Sequence, residues 1–178
     1  MTIIKLFEEF KSSDVDERIL SHMTSYDYNS LPIECKKSLM IWNIYHGDGE
    51  FLQGDYGKLD LNDFDWVNDE RISKMSNEFG ENFAKKYGHT YKYGLVPSEL
   101  IKEKMSNIIK NNDDFFGTNF DQWHKRYQST NKNDFGDSIL PIIVDFNNDY
   151  GWVEDGWHRL SSYMKKELET IPILDIVV

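Results

Sequence analysis

An α+β fold in a single domain is predicted by three features of this sequence. Apolar residues recur at helical spacing through most of residues 1–130, short β-branched runs separated by turn residues take over after residue 139, and no linker-like break divides the 178 residues. The expectation is a small mixed sheet wrapped by helices, with residues 1–178 as one domain, 1–130 its mostly helical part and 139–178 its sheet core.

Ile3, Leu6, Phe7 and Phe10 make a first helical stripe, and Ser13 with Asp16 caps a second short segment carrying Ile19, Leu20 and Met23. Pro32 pre-sets the first turn of a helix whose inward positions read as Ile33, Met40, Ile41 and Ile44 and which stops near Gly47. Glycines and aspartates from His46 to Asp65 break any period, so a loop is expected there. Asn68-Asp69-Glu70 opens a helix with Ile72, Met75, Phe79, Phe83 and Tyr87 on one stripe, closed by Gly88. Pro97-Ser98 starts another, through Lys110, with Leu100, Ile101, Met105, Ile108 and Ile109 facing in. Phe120, Trp123 and Tyr127 suggest one more short helix before a polar connector, Ser129–Asp137.

The final segment changes period. Ile139–Phe146 is apolar and β-branched, Asn147-Asn148-Asp149 is turn chemistry, and Tyr150–Val153 resumes as a strand, which together predict a hairpin. Pro141 is expected where no ladder hydrogen bond is missed. Glu154-Asp155-Gly156 then leads into a helix from Trp157 to Leu168, and Ile171–Val178 is a closing strand. Two strands joined by a helix are expected to lie parallel.

Charge and cysteine usage narrow the function classes. The formal net charge is −11, with both parts of the chain net negative, which repels a phosphate backbone and disfavours non-specific nucleic-acid binding. An acidic face also suits a basic protein partner. No run reaches the roughly 18 apolar residues of a membrane helix, and the N-terminus is too acidic for a signal peptide, so no membrane partner and a cytoplasmic location are expected. Cys35 stands alone, so neither a disulfide nor a Cys-x-x-Cys pair is available.

One motif carries chemistry. Asp155-Gly156-Trp157-His158-Arg159 falls where a strand turns into a helix, and a helix N-terminus favours an anion. Gly156 permits a tight turn, Arg159 offers a planar fork for phosphate oxygens, His158 can donate a hydrogen bond or move a proton, and Trp157 suits stacking on a base or ribose. The same residues also read as a self-stabilised helix start, with Asp155 as N-cap, Arg159 paired with Glu154 and His158 at the surface.

The order Ile139-Leu140-Pro141-Ile142-Ile143-Val144, hairpin, Trp152-Val153-Glu154-Asp155-Gly156-Trp157-His158-Arg159-Leu160, then Glu169-Thr170-Ile171-Pro172-Ile173-Leu174, resembles the ParB/sulfiredoxin superfamily. The resemblance covers about 40 residues, 139–178, and leaves 1–130 unmatched. It implies a nucleotide-binding enzyme, a phosphotransferase or hydrolase, that takes ATP, ADP or CTP with magnesium. Gly156, Trp157, His158 and Arg159 would contact phosphate, and Asp155, His158 and Glu154 are the implied catalytic residues, Asp155 also as magnesium ligand. Two departures narrow this. Trp157 stands where sulfiredoxin has its catalytic cysteine, and no basic helix-turn-helix region follows this core before Val178, as it does in partition proteins. Leu59-Asp60-Leu61-Asn62 and Gly94-Leu95-Val96-Pro97 are candidates for the superfamily's second nucleotide-binding stretch.

Two other function classes stay open: a non-catalytic acidic protein that binds and blocks a nucleic-acid-binding partner, and a metal-dependent nuclease. His46-Gly47-Asp48-Gly49-Glu50 is a possible hard-metal loop. Asp60, Asn62, Asp63 and Asp65 fail as a calcium loop because Asp65 and Arg71 replace the required Gly and Glu. His124-Lys125-Arg126, beside Trp123 and Tyr127, is a compact basic cluster, and Glu99 and Glu103 read as a wet helix face.

Overall fold

The computed structural model describes residues 14–46, 70–78, 90–111, 122, 139–148 and 152–177. They form five helices, α1 Asp14–Leu20, α2 Ile33–His46, α3 Glu70–Glu78, α4 Ser98–Asn111 and α5 Trp157–Lys165, around one mixed sheet. Its strands are β1 Met23–Tyr26, β2 Thr90–Pro97, β3 Ile142–Val144, β4 Val153–Asp155 and β5 Thr170–Val177, in the spatial order β1-β2-β5-β3-β4. The architecture is a single α+β domain.

Successive side chains of a strand point to opposite faces, and the two faces are covered by different helices. Ile142, Val144, Ile171, Ile173 and Val96 face a core built with Val15 and Ile19 of α1, Ile101, Met105 and Ile109 of α4, and Leu160 and Tyr163 of α5. Ile143, Leu174, Ile176 and Tyr91 face the other way, onto Cys35, Leu39, Met40 and Ile41 of α2 and Met75 of α3. Every residue of β5 from Ile171 to Ile176 is buried, which is why its apolar run is nearly continuous rather than alternating.

The strand-helix-strand expectation needs correction. β4 and β5 do not pair: β4 lies at the sheet edge, antiparallel to β3, and β5 is parallel to β3 on its other side. The parallel crossover therefore runs from β3 to β5 and contains β4 as well as α5. β4 also begins later than expected, so Glu154 and Asp155 belong to the strand and not to the lead-in of the helix. Its pairing with β3 matches Asp155 to Ile143 and Val153 to Val144, skipping Glu154 as a one-residue bulge. The helix ends at Lys165, three residues short of Leu168.

Residues 1–130 also hold two strands that the helical reading omits. Met23, assigned there to a helix, starts β1, because Ser21 and His22 close α1 with backbone bonds to Glu17 and Ile19. β2 pairs along its whole length with β5 and, over Tyr91 to Gly94 in its first part, with β1. Gly94 is obligatory at that crossing: a Cβ there would stand 2.1 Å from the His22 carbonyl oxygen. On α2, Ile33 points outward, and Cys35, Ser38, Leu39 and Asn43 join Met40 and Ile41 inside; Ile44 lies outside the described side chains. The α4 stripe is buried as expected, with one polar addition: Lys104 is buried on an ion pair to Asp16, 2.8 Å, which ties α4 to α1.

Candidate functional site

The turn from β4 into α5 is organised by Gly156. Its φ of +102° and ψ of 21° lie in the left-handed region, and it forms the N-cap of α5 without any side-chain cap. The first helical bond runs from the Leu160 N–H to the Gly156 carbonyl, 2.8 Å. A Cβ on this residue would also crowd Arg159 Nε and Nη2 at 3.0 Å and Ile142 Cδ1 at 3.1 Å. The glycine thus makes room for the arginine to fold back beneath the turn.

Arg159 is only 3% exposed. Its Nη2 donates to Asp155 Oδ2 at 2.5 Å, and its Nη1 donates to Ser38 Oγ of α2 at 3.0 Å. Ser38 in turn donates to the Pro141 carbonyl, 3.0 Å, just before β3. One turn further along α5, Tyr163 donates to the Leu140 carbonyl, 2.8 Å. Burying an arginine is tolerated when it is ion-paired and hydrogen-bonded, and both conditions are met here. Pro141 precedes the strand, so its missing N–H breaks no ladder bond, and its carbonyl anchors the network.

The structure thus brings Asp155, Gly156 and Arg159 together. The self-stabilised reading is corrected in two details: Arg159 pairs with Asp155, not Glu154, and the N-cap is Gly156, not Asp155. Glu154, the bulged residue, accepts instead from Asn148 Nδ2 at 3.5 Å. His158 is exposed on the outer side of the helix start, and Trp157 is half-buried against the core that contains α1 and α4. Ser38 was not among the sequence candidates. The signal for it is a small polar residue on the apolar, inward side of α2, between Cys35 and Leu39.

A second polar group lies towards the other end of β3. Asp175 is 5% exposed, opposite Lys92 in β2 and Val144 in β3. Burial pushes its carboxyl up to about 6, with Asp145 adding to the rise while Lys92 and the Phe146 N–H oppose it. Asp145 itself closes the hairpin turn, accepting the Asn147 N–H on Oδ1 at 2.7 Å. Cys35 is fully buried, and burial, with Glu34 beside it, pushes its thiol well above the usual range, so it is not poised as a nucleophile.

Among the described residues no group of three or more His, Cys, Asp or Glu is placed to hold a metal. Asp155, the implied magnesium residue, has Oδ2 on Arg159. Glu103 is held by Arg18 at 3.0 Å, and the Gly94–Pro97 stretch is part of β2, with Leu95 exposed. Gly47–Glu50, Leu59–Asp65 and His124–Arg126 lie outside the described residues. No helix among the described residues is long and apolar enough to cross a membrane. Compared with known proteins, the chain matches no family model, no curated protein and no solved structure.

Proposed function

We propose that this chain binds a nucleotide through its phosphates at the β4–α5 turn, as a ParB/sulfiredoxin-like phosphotransferase or nucleotide hydrolase. The observation that carries the reading is the glycine-headed helix start: Gly156 in the left-handed conformation, no side-chain oxygen capping it, and the exposed His158 in the first turn. A glycine there lets a phosphate approach the backbone closely, where the positive end of the α5 dipole favours it. His158 is the side chain able to donate to a phosphate oxygen or relay a proton, and Glu154 is the carboxylate of the turn not paired with Arg159. Arg159 serves this site from below. Its guanidinium fixes the path of Gly156 and is not the group that reaches the ligand.

The test is thermal unfolding of wild type and His158→Ala with ATP, ADP, CTP and GTP, each with and without magnesium. Ligand at about a hundredfold above its Kd stabilises by roughly 2.7 kcal/mol, a shift of a few degrees for a chain of this size. A nucleotide-specific shift that shrinks in His158→Ala supports the reading. No shift with any nucleotide overturns it.

A second reading has one observation in its favour. The only arginine of the turn is buried and neutralised by Asp155, so the turn adds no cationic group to a chain of net charge −11. That suits a non-catalytic acidic protein that binds a basic, nucleic-acid-binding partner, and it predicts unchanged partner binding in His158→Ala.

A further inference from the structure

The inward face of α2 is apolar at Cys35, Leu39 and Met40, yet the position between them is Ser38, fully buried. A serine inside a helix usually bonds the carbonyl four residues back in its own helix. Ser38 instead donates to the Pro141 carbonyl and accepts from Arg159 Nη1, both at 3.0 Å and both more than a hundred residues away in sequence. A hydroxyl has one hydrogen to give, and here it goes to Pro141, which leaves the oxygen lone pairs to receive the guanidinium. The direction of each bond is therefore set. Arg159 is held at two points, Nη1 on Ser38 and Nη2 on Asp155, and its Nε and Nη2 lie 3.0 Å from where a Gly156 Cβ would stand. Two bonded nitrogens fix the plane of a rigid fork, and that plane is the floor on which Gly156 rests.

We infer that Ser38 is a positioning residue for the β4–α5 turn: acting through Arg159, it holds Gly156 in the conformation that receives a phosphate, without touching the ligand itself. The inference rests on the proposed reading of the turn. It makes α2, from the opposite face of the sheet, part of the binding apparatus. Loss of a hydrogen bond to a buried charged group is large enough to register as about tenfold in affinity.

The experiment compares the full chain as wild type, Ser38→Ala and Ser38→Thr. Affinity for ATP, ADP, CTP and GTP is measured by calorimetry, and the side-chain N–H signals of Arg159 are followed by nitrogen-15 NMR. Expected are about tenfold weaker nucleotide binding in Ser38→Ala, exchange-broadened Arg159 signals in the same variant, and recovery of both in Ser38→Thr, which restores the hydroxyl. If the alanine variant fails to fold, Ser38→Cys, close in size and a poor hydrogen-bond partner, replaces it with the same expectation. Wild-type affinity in Ser38→Ala or Ser38→Cys overturns the inference and leaves the nucleotide reading intact. Absence of any nucleotide binding by wild type overturns the reading and the inference together.

Discussion

Asp155 and Arg159 form an ion pair across the start of a helix that faces the protein interior, with the guanidinium 3% exposed and the carboxylate the more accessible partner. A pair of this kind is held in place by the cost of separating it. Asp155→Ala leaves a buried guanidinium without its counter-charge and is expected to cost about 3 to 5 kcal/mol in urea unfolding. Asp155→Ala combined with Arg159→Met removes both charges and is expected to be closer to wild type than the single change. A single variant as stable as wild type contradicts the internal placement of Arg159.

Gly94→Ala places a methyl group 2.1 Å from the His22 carbonyl oxygen and within 2.9 Å of Met23 Cα, both backbone atoms that cannot rotate away. β1 has to leave β2 to accommodate it. The expected loss is roughly 3 kcal/mol. Hydrogen exchange should show residues 23–26 unprotected and residues 170–177 still protected, since β5 keeps its partner β3.

Asp175 gives the fold a pH dependence of definite sign. Its carboxyl rises from 3.8 to about 6 in the folded chain, chiefly through burial, so the folded state holds the proton more tightly than the unfolded state. The stabilisation from this residue is complete below pH ~4. It is lost as pH rises through about 6, by at most about 3 kcal/mol. Asp175→Asn cannot ionise and is expected to exceed wild type in stability at pH 7 to 8, with the gap closing as the pH falls to about 4. Urea midpoints of both proteins between pH 4 and 8 check this; a variant weaker than wild type at pH 7 contradicts it.

Glu167 has a φ of +54°, the left-handed conformation that follows the last turn of α5, where Glu167 N–H reaches the Met164 carbonyl and Leu168 N–H the Tyr163 carbonyl. A side chain there is strained, and Glu167→Gly is expected to stabilise by about 1 kcal/mol, read as a rise in Tm of a few degrees. Glu167→Val is expected to do the reverse, because a β-branched residue tolerates this backbone least.

Local signals made part of this fold legible. The α4 stripe of Leu100, Ile101, Met105, Ile108 and Ile109 repeats at helical spacing, and all five are buried. The apolar runs around Ile142 and Ile171 are strands, because fully buried strands need no polar alternation. β2 was hidden by its own adaptations: Gly94 serves the crossing of β1, and Pro97 ends the strand, yet both read as turn residues in isolation. β1 is four residues with Thr24 and Ser25 exposed, too short and polar for any period. Which strand neighbours β5 depends on packing across both faces, and local pattern does not encode it. At the turn, the tight backbone at Gly156 was legible from residue type. The partner of Arg159 was not, because Glu154 and Asp155 are adjacent carboxylates and the bulge at Glu154 separates their roles. Ser38, 121 residues from Arg159, left no local trace beyond its polarity on an apolar face.

The central position of β5 orders assembly in time. β1 and β2 pair only with each other until β5 arrives, and so do β3 and β4, because residues 170–177 supply both remaining seams of the sheet. Among the described strands β5 is the last in the sequence, so a ribosome delivers two separate ribbons before it delivers the strand that joins them. Ile171, Ile173, Leu174 and Ile176 then close the two cores on opposite faces in one step. A nascent chain held short of residue 170 carries these ribbons with their edges open, and that is the stage of synthesis at which this protein most needs protection from association with others.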